Sequence, residues 1–332
     1  NIAGSGSAFE CWYNGSKYQT EPTYHTMETC VTMTWMKLCF NLLRITGNPV
    51  YADEVEKSVY NALIASMKYD GSEIAKYSPL GGIRHAGEEQ CGMHINCCNA
   101  NGPRAFMMLP GFAVMEKGGD IYINMYGTSR FSLPLDLKNK VIIEQFSGYP
   151  ESEEVTIRIN QAKPASYTLA LRIPAWSSKT SVSINNEEIA AVVPGSYLKL
   201  NRPWKNGDVI KLNLDLRGRL VNLNGCQAII RGPVVLARDT RFNDGFIYEP
   251  AVIRDKEGFV ELRPSASKPA HVWMSFTAPL VLGTDLEGEF RNPRQVNFCD
   301  FASAGNTWGE DSRYLVWIRK TLNVMNTDYK GY

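Results

Sequence analysis

The chain has 332 residues, 44% of them hydrophobic and 21% charged. That is enough for two or three cored domains and excludes intrinsic disorder. A net charge of +1, from 35 Lys and Arg against 34 Asp and Glu, supplies no basic field for nucleic acid or an anionic membrane surface, so neutral partners are favoured.

Residues 1–27 show neither helical nor strand period and read as an ordered loop. Its start, Asn1 to Ser7, lacks the cationic and apolar regions of a signal peptide. Trp12, Tyr13, Tyr18 and Tyr24 could stack on a sugar ring or tuck the loop onto a core. From about Thr29 to Ile45, the positions Trp35, Leu38, Cys39, Leu42 and Ile45 follow the spacing of an amphipathic helix. Gly47 ends it, with Asn48-Pro49 just beyond. A second helix is expected from about Val50 to Met67, antiparallel to the first across the short turn. Its apolar face holds Ala52, Val55, Val59, Ala62 and Leu63. The acidic run Asp53 to Glu56 reads as a solvated face near a helix N-terminus.

Residues 68–102 form a long connection without periodicity, and such loops are usually functional. Arg84, His85 and Arg104, in or next to it, could meet an acidic sugar or simply be solvated. Pro103 opens a further helix that Pro110 interrupts. The longest apolar run, 105–115, is broken by Pro110 and Gly111 and falls short of the roughly 20 residues a spanning helix needs, so no membrane span is expected. After Lys117-Gly118-Gly119-Asp120 the pattern changes to period two, in Ile121/Ile123, Val155/Ile157/Ile159, Leu169/Leu171/Ile173 and Ile210/Leu212/Leu214. These alternations predict an antiparallel β-sandwich or jelly roll. The expected division is 1–117, 118–238 and 239–332, the last a further β-rich region.

Six of the eight cysteines lie in the first 98 residues. They are too sparse for a disulfide scaffold, and the adjacent pair Cys97-Cys98 makes a poor disulfide, so free or metal-bound thiols are expected. Glu28, Cys30, Cys97 and Cys98 offer a carboxylate and three thiolates, a good tetrahedral zinc set. Glu28 and Cys30 stand at i, i+2, so they must flank the helix start, where the N-terminus favours the Cys30 thiolate. Cys91-x-x-His94-x-x-Cys97 is a second compact set, and chemistry alone leaves both open.

Glu28-Thr29-Cys30, the turn Thr46 to Asp53, Tyr60-Asn61 and Cys97-Cys98 resemble glycoside hydrolase family 127, the β-L-arabinofuranosidase-like enzymes. Leu171 to Trp176, Trp204 to Ile210, Arg231-Gly232-Pro233 and Ala302 to Trp308 look like that family's β domains. The resemblance implies a multidomain α+β chain. Residues 1–117 would be the C-terminal part of an (α/α) helical barrel catalytic domain, and jelly-roll-like β-sandwich domains would follow. It also implies a zinc ion held by Glu28, Cys30, Cys97 and Cys98, with Cys97 as nucleophile and Glu10 as general acid/base of a retaining glycosidase. Glu21 is a rival acid. Trp12, Tyr24, His25 and His94 are the candidate substrate contacts. The implied partners are an oligosaccharide or glycoside substrate and an upstream part of the same enzyme that completes the barrel, with no nucleic acid and no membrane. The alternative is a zinc-stabilised carbohydrate-binding or inactive fragment of a larger enzyme. The glycan context favours a periplasmic or secreted protein, with the cytoplasm as the alternative.

Overall fold

A computed structural model describes residues 1–8, 11–12, 19–21, 25–87, 96–135, 139–283 and 293–320. Helix α1 (Thr29–Thr46) ends at Gly47, whose left-handed φ of 68° lets its N–H reach Leu43 O. A residue with a Cβ pays a steric cost in that conformation, and glycine does not. The buried face of α1 runs through Thr32, Met36, Cys39 and Leu43. The expected face is rotated away: Leu38 is 48% and Ile45 75% exposed. Two threonines explain the difference, because Thr29 Oγ1 donates to Ala75 O and Thr32 Oγ1 to Ser5 Oγ. Once their hydroxyls are bonded, they can be buried at little cost.

Helix α2 (Val50–Ser58) gives way to a π-helical turn at Val59–Leu63, where the Ile64 N–H reaches Val59 O. The expected single helix to Met67 is therefore interrupted. Asn61 sits in this turn and ties it to the distant sheet, donating to Pro233 O and accepting from Val235 N, both at 2.8 Å. Helix α3 (Cys97–Met107) and the short α4 (Leu109–Ala113) complete the helical layer. Its core is Met36, Cys39, Leu43, Val55, Leu63 and Phe112.

The β region holds a six-stranded sheet and a four-stranded sheet. In the latter, strands Ser196–Trp204, Ala165–Ile173, Asp120–Ile123 and Val114–Lys117 lie side by side, with Asp120–Ile123 parallel to Ala165–Ile173. The two sheets share one core, including Ile121, Ile143, Ile157, Leu171, Trp204 and Leu212. An eleven-stranded sheet gathers Gly218–Leu223, Cys226–Arg231, Val234–Asp239, Ser275–Leu282 and Arg294–Asp300 with shorter strands. One of the short strands, Tyr314–Leu315, also pairs with Gly81–Gly82 from the helical region.

The expectation of a partial (α/α) barrel followed by jelly-roll-like sandwich domains is therefore corrected. Among the described residues strand outweighs helix, 39% to 19%. Among the described residues α-helix is confined to 29–113, and α1, α2 and α3 form a layer against sheets rather than a ring of helical hairpins. The helical period of the first third is real, but too few helices follow one another to close a barrel. Among the described residues no helix is long and apolar enough to cross a membrane.

Two charged side chains expected at the surface, Glu56 as part of a solvated face and Arg84 as solvated or meeting an acidic sugar, lie in the interior. Glu56 is fully buried and takes Arg172 Nη2 at 2.6 Å, the Tyr149 hydroxyl at 2.8 Å and Trp176 Nε1 at 3.3 Å. Burial pushes its carboxyl upward, and Arg172 pulls it back. Arg84 is also fully buried, donating to Phe301 O and Ala302 O between the rings of Phe301 and Tyr314. It is a core strut and not a sugar contact.

Candidate metal centre and active site

The peptide before α1 is pinned to residues 75–78. Thr29 N–H donates to Lys76 O at 2.9 Å, Ser78 N–H donates to Met27 O at 3.2 Å, and Glu28 bridges to Tyr77. Glu28 is the N-cap residue of α1, and its side chain makes no cap hydrogen bond to the helix. Cys30 follows in the first turn. Asn96 caps α3 by accepting from Cys98 N–H at 2.9 Å, and Asn99 Oδ1 reciprocates to Asn96 N–H at 3.1 Å. This capping box fixes where α3 starts, so Cys97 and Cys98 are its first two residues.

The two helix starts converge. Cys30 Sγ lies 3.0 Å from Cys97 Sγ and 3.3 Å from Cys98 Sγ, and Glu28 Oε1 lies 4.0 and 3.9 Å from the same two sulfurs. All four ligand atoms fall within 4.8 Å of one another. The sulfurs are too far apart for a disulfide of about 2.05 Å. A tetrahedral zinc with Zn–S near 2.3 Å sets sulfur–sulfur edges of roughly 3.8 Å, so the cage would admit the ion if each pair parted by less than an ångström. Both positive helix ends point at the group, which favours thiolates.

The electrostatics are unequal. Cys30 is drawn down to about 5, first by a hydrogen bond from Cys98 and also by those from Cys97 and Asn101, against the effect of burial. Cys97 is pushed up to about 11 by partial desolvation and then by the neighbouring Cys30. Cys98 is pushed far up, first by its bond to Cys30 and then by burial. Hydrogen bonding thus favours the thiolate form at Cys30 over its two neighbours. Glu28 and Cys98 are buried, Cys30 is half-buried and Cys97 is exposed. The exposed thiol is thus backed by buried anchors.

Of the other expected site residues, His25 stands edge-on to Tyr77 with ring centroids 5.2 Å apart, beside the strand-like segment that carries Glu28. Trp12 lies on the two-residue strand Cys11–Trp12. Glu10, Tyr24, Cys91 and His94 lie outside the described residues. Two contributors were missed by sequence reasoning. Asn101 Nδ2 donates to Cys30 Sγ at 3.2 Å, and only its position one turn after Cys97 and Cys98 could have flagged it. Gly87 is the other: a Cβ there would sit 2.4 Å from Asn96 Nδ2 and 2.7 Å from Lys76 Cβ, so it lets the loop close behind the α3 cap.

Residues 2–111 match the model described as the β-L-arabinofuranosidase GH127 catalytic domain, and residues 120–216 match the GH127 middle domain. The chain belongs to glycoside hydrolase family 127. A curated relative, the non-reducing end β-L-arabinofuranosidase of Bifidobacterium longum subsp. longum, is 24% identical over 246 residues, which are 67% of this chain and 36% of that protein. A GH127 β-L-arabinofuranosidase from Geobacillus stearothermophilus T6 superposes on 96% of the chain with a TM-score of 0.80 at 22% identity. A second GH127 β-arabinofuranosidase superposes on 97% with a TM-score of 0.80 at 23% identity. At such identities the likeness is one of fold. The chain spans 54% of each of those family 127 structures, so it corresponds to about half of their length.

Proposed function

We propose that this chain carries the thiolate–metal centre of a retaining family 127 glycoside hydrolase acting on β-L-arabinofuranoside-like linkages of plant glycans. The observation that carries the reading is the exposed Cys97 thiol held within 3.0–4.0 Å of Cys30 and Glu28, with Glu28 and Cys98 buried behind it. Zinc fits the donor set best, as three sulfurs and a carboxylate oxygen suit a borderline-soft tetrahedral ion. When bound, zinc would hold Cys97 as a thiolate at neutral pH, which the chain's own groups do not do.

The residues divide the work. Glu28, Cys30 and Cys98 orient Cys97. Its sulfur attacks the anomeric carbon, forming a C–S bond as the glycosidic C–O bond breaks, and Glu10 gives its proton to the departing oxygen. Glu10 then takes a proton from water, which displaces the sulfur and restores the thiolate; two inversions give net retention. Asn101 steadies Cys30 through its Nδ2 donor.

Hydrolysis of an aryl β-L-arabinofuranoside, with metal analysis of the same sample, tests the proposal. Zinc at the thiols and loss of turnover in Cys97→Ser are expected, and normal turnover in that variant would sink it. The partial coverage of the relatives favours a second reading, in which these residues bind glycan around a structural metal and cleavage needs the remainder of a relative-sized chain. Bound zinc and glycan binding without hydrolysis would select it.

A further inference from the structure

The face of the four-stranded sheet turned away from its shared core forms a cleft with the C-terminal turn of α1. Register places Met115, Tyr122, Ala170 and Lys199 in one row across the strands. Arg44, Thr46 and Gly47 form the facing wall of a cavity of about 510 Å3, within the usual size range of small-molecule sites. Arg44 lies fourteen residues beyond Cys30, about 21 Å along the helix at 1.5 Å per residue, so this cleft is at the opposite end of α1 from the thiols.

Its lining is specific. Tyr122 and Tyr197 meet edge to face with centroids 5.2 Å apart. Tyr197 is fixed by donating to Asn124 Oδ1, and Asn124 in turn donates to Phe112 O at 2.9 Å. Such preset aromatic walls suit the C–H faces of a sugar ring, since ordering them at binding costs little. Arg44, Lys117 and Lys199 all line the cleft, and among the described residues none of them forms an ion pair. The one carboxylate in the lining, Glu116, is engaged by Gly119 N–H at 3.0 Å. Three cations against one carboxylate, around a tyrosine pair, leave the cleft net positive and select a ligand that is both ring-shaped and anionic.

We propose that this cleft is a second glycan subsite, taking a uronate-bearing oligosaccharide with its ring against Tyr122 and Tyr197 and its carboxylate among Arg44, Lys117 and Lys199. It would hold the chain on an acidic polysaccharide while the thiol end of α1 remains free. The site does not depend on the thiol chemistry, so its test needs no turnover.

The test is calorimetric titration with a short oligogalacturonate at low salt, set beside a neutral oligogalactan of equal length and inorganic phosphate. The oligogalacturonate is expected to bind and to weaken as salt rises. Lys117→Ala with Lys199→Ala should reduce affinity at least tenfold, as should Tyr122→Ala, with metal content unchanged. Lys199→Glu, at an exposed position, preserves the test if the tyrosine variant fails to fold. No binding, equal binding of phosphate or of the neutral oligomer, or affinity that survives both lysine changes would each overturn the proposal.

Discussion

Two polar clusters made from distant parts of the chain use charge in opposite ways. At the thiol cluster, Glu28 and Cys30 meet Cys97 and Cys98 across two helix starts, and the group ends in an exposed sulfur. At the second cluster, Arg172 is fully buried with Glu56 Oε1 at 2.6 Å and Asp53 Oδ1 at 2.5 Å, and it also donates to Asn124 O at 2.6 Å. Arg172 is held by both carboxylates inside the protein, so the cluster locks α2 to the strand Ala165–Ile173 and has little left for chemistry. The thiol cluster holds surplus donor atoms, one of them open to solvent. A surplus of unmatched donors, more than the number of polar groups, separates a reactive centre from a strut.

The sharpest way to break this contrast is at Cys97. Cys97→Ser should lower kcat by about 10³-fold or more, as loss of a covalent nucleophile does, while the denaturant midpoint of the metal-free protein barely moves. A turnover loss matched by an equal loss of stability would make the cluster a strut as well. Arg172→Ala should do the reverse. It strands Glu56 and costs about 3–5 kcal/mol by urea unfolding, with turnover per folded molecule retained. Gly87→Ala lies between the two. Its Cβ would press on Asn96 and Lys76, and overpacking of this kind costs about 1–3 kcal/mol, so metal affinity should fall along with stability.

The smallest effect concerns protons. In the metal-free chain Cys30 is the thiolate, so iodoacetamide followed by peptide mass mapping should label it ahead of Cys97. Its value is depressed below that of a free thiol, so the reactive form persists as pH falls and is lost only through about 5. Cys97, raised to about 11, should resist labelling until well above neutral pH. Asn101→Ala removes one of the donors that depress Cys30, so the fall-off should move to higher pH. Preferential labelling of Cys97 in the metal-free chain would show that the charge is shared differently.

Much of the thiol cluster could be read from the chain, because cysteines are rare, eight in 332 residues, and their clustering stands out without a fold. The choice between Cys91/His94 and Glu28/Cys30/Cys98 needed the resemblance, since spacing alone could not say that residues 97 and 98 begin a helix. Gly47 ended α1 as read, because its left-handed conformation is a local requirement. The buried face of α1 was misassigned because Thr29 and Thr32 look polar until Ala75 and Ser5 come beside them. Glu56 looked solvated because its partner lies 116 residues away, and Arg84 likewise because its partners lie 217 and 218 residues on. The helical barrel failed for a related reason: local period establishes that helices exist, and only the tertiary pairing of α1, α2 and α3 with sheets decides what they build.

The meeting of two helix starts has a mechanical consequence. An ion gripped by Cys30 from one helix and by Cys97 and Cys98 from the other acts as a rivet, since neither first turn can open without letting go of a ligand. The opening of the two turns becomes a single event. Amide hydrogens in the first turns of α1 and α3 should then slow together when metal is added, and by similar factors, although nearly seventy residues separate them in the chain.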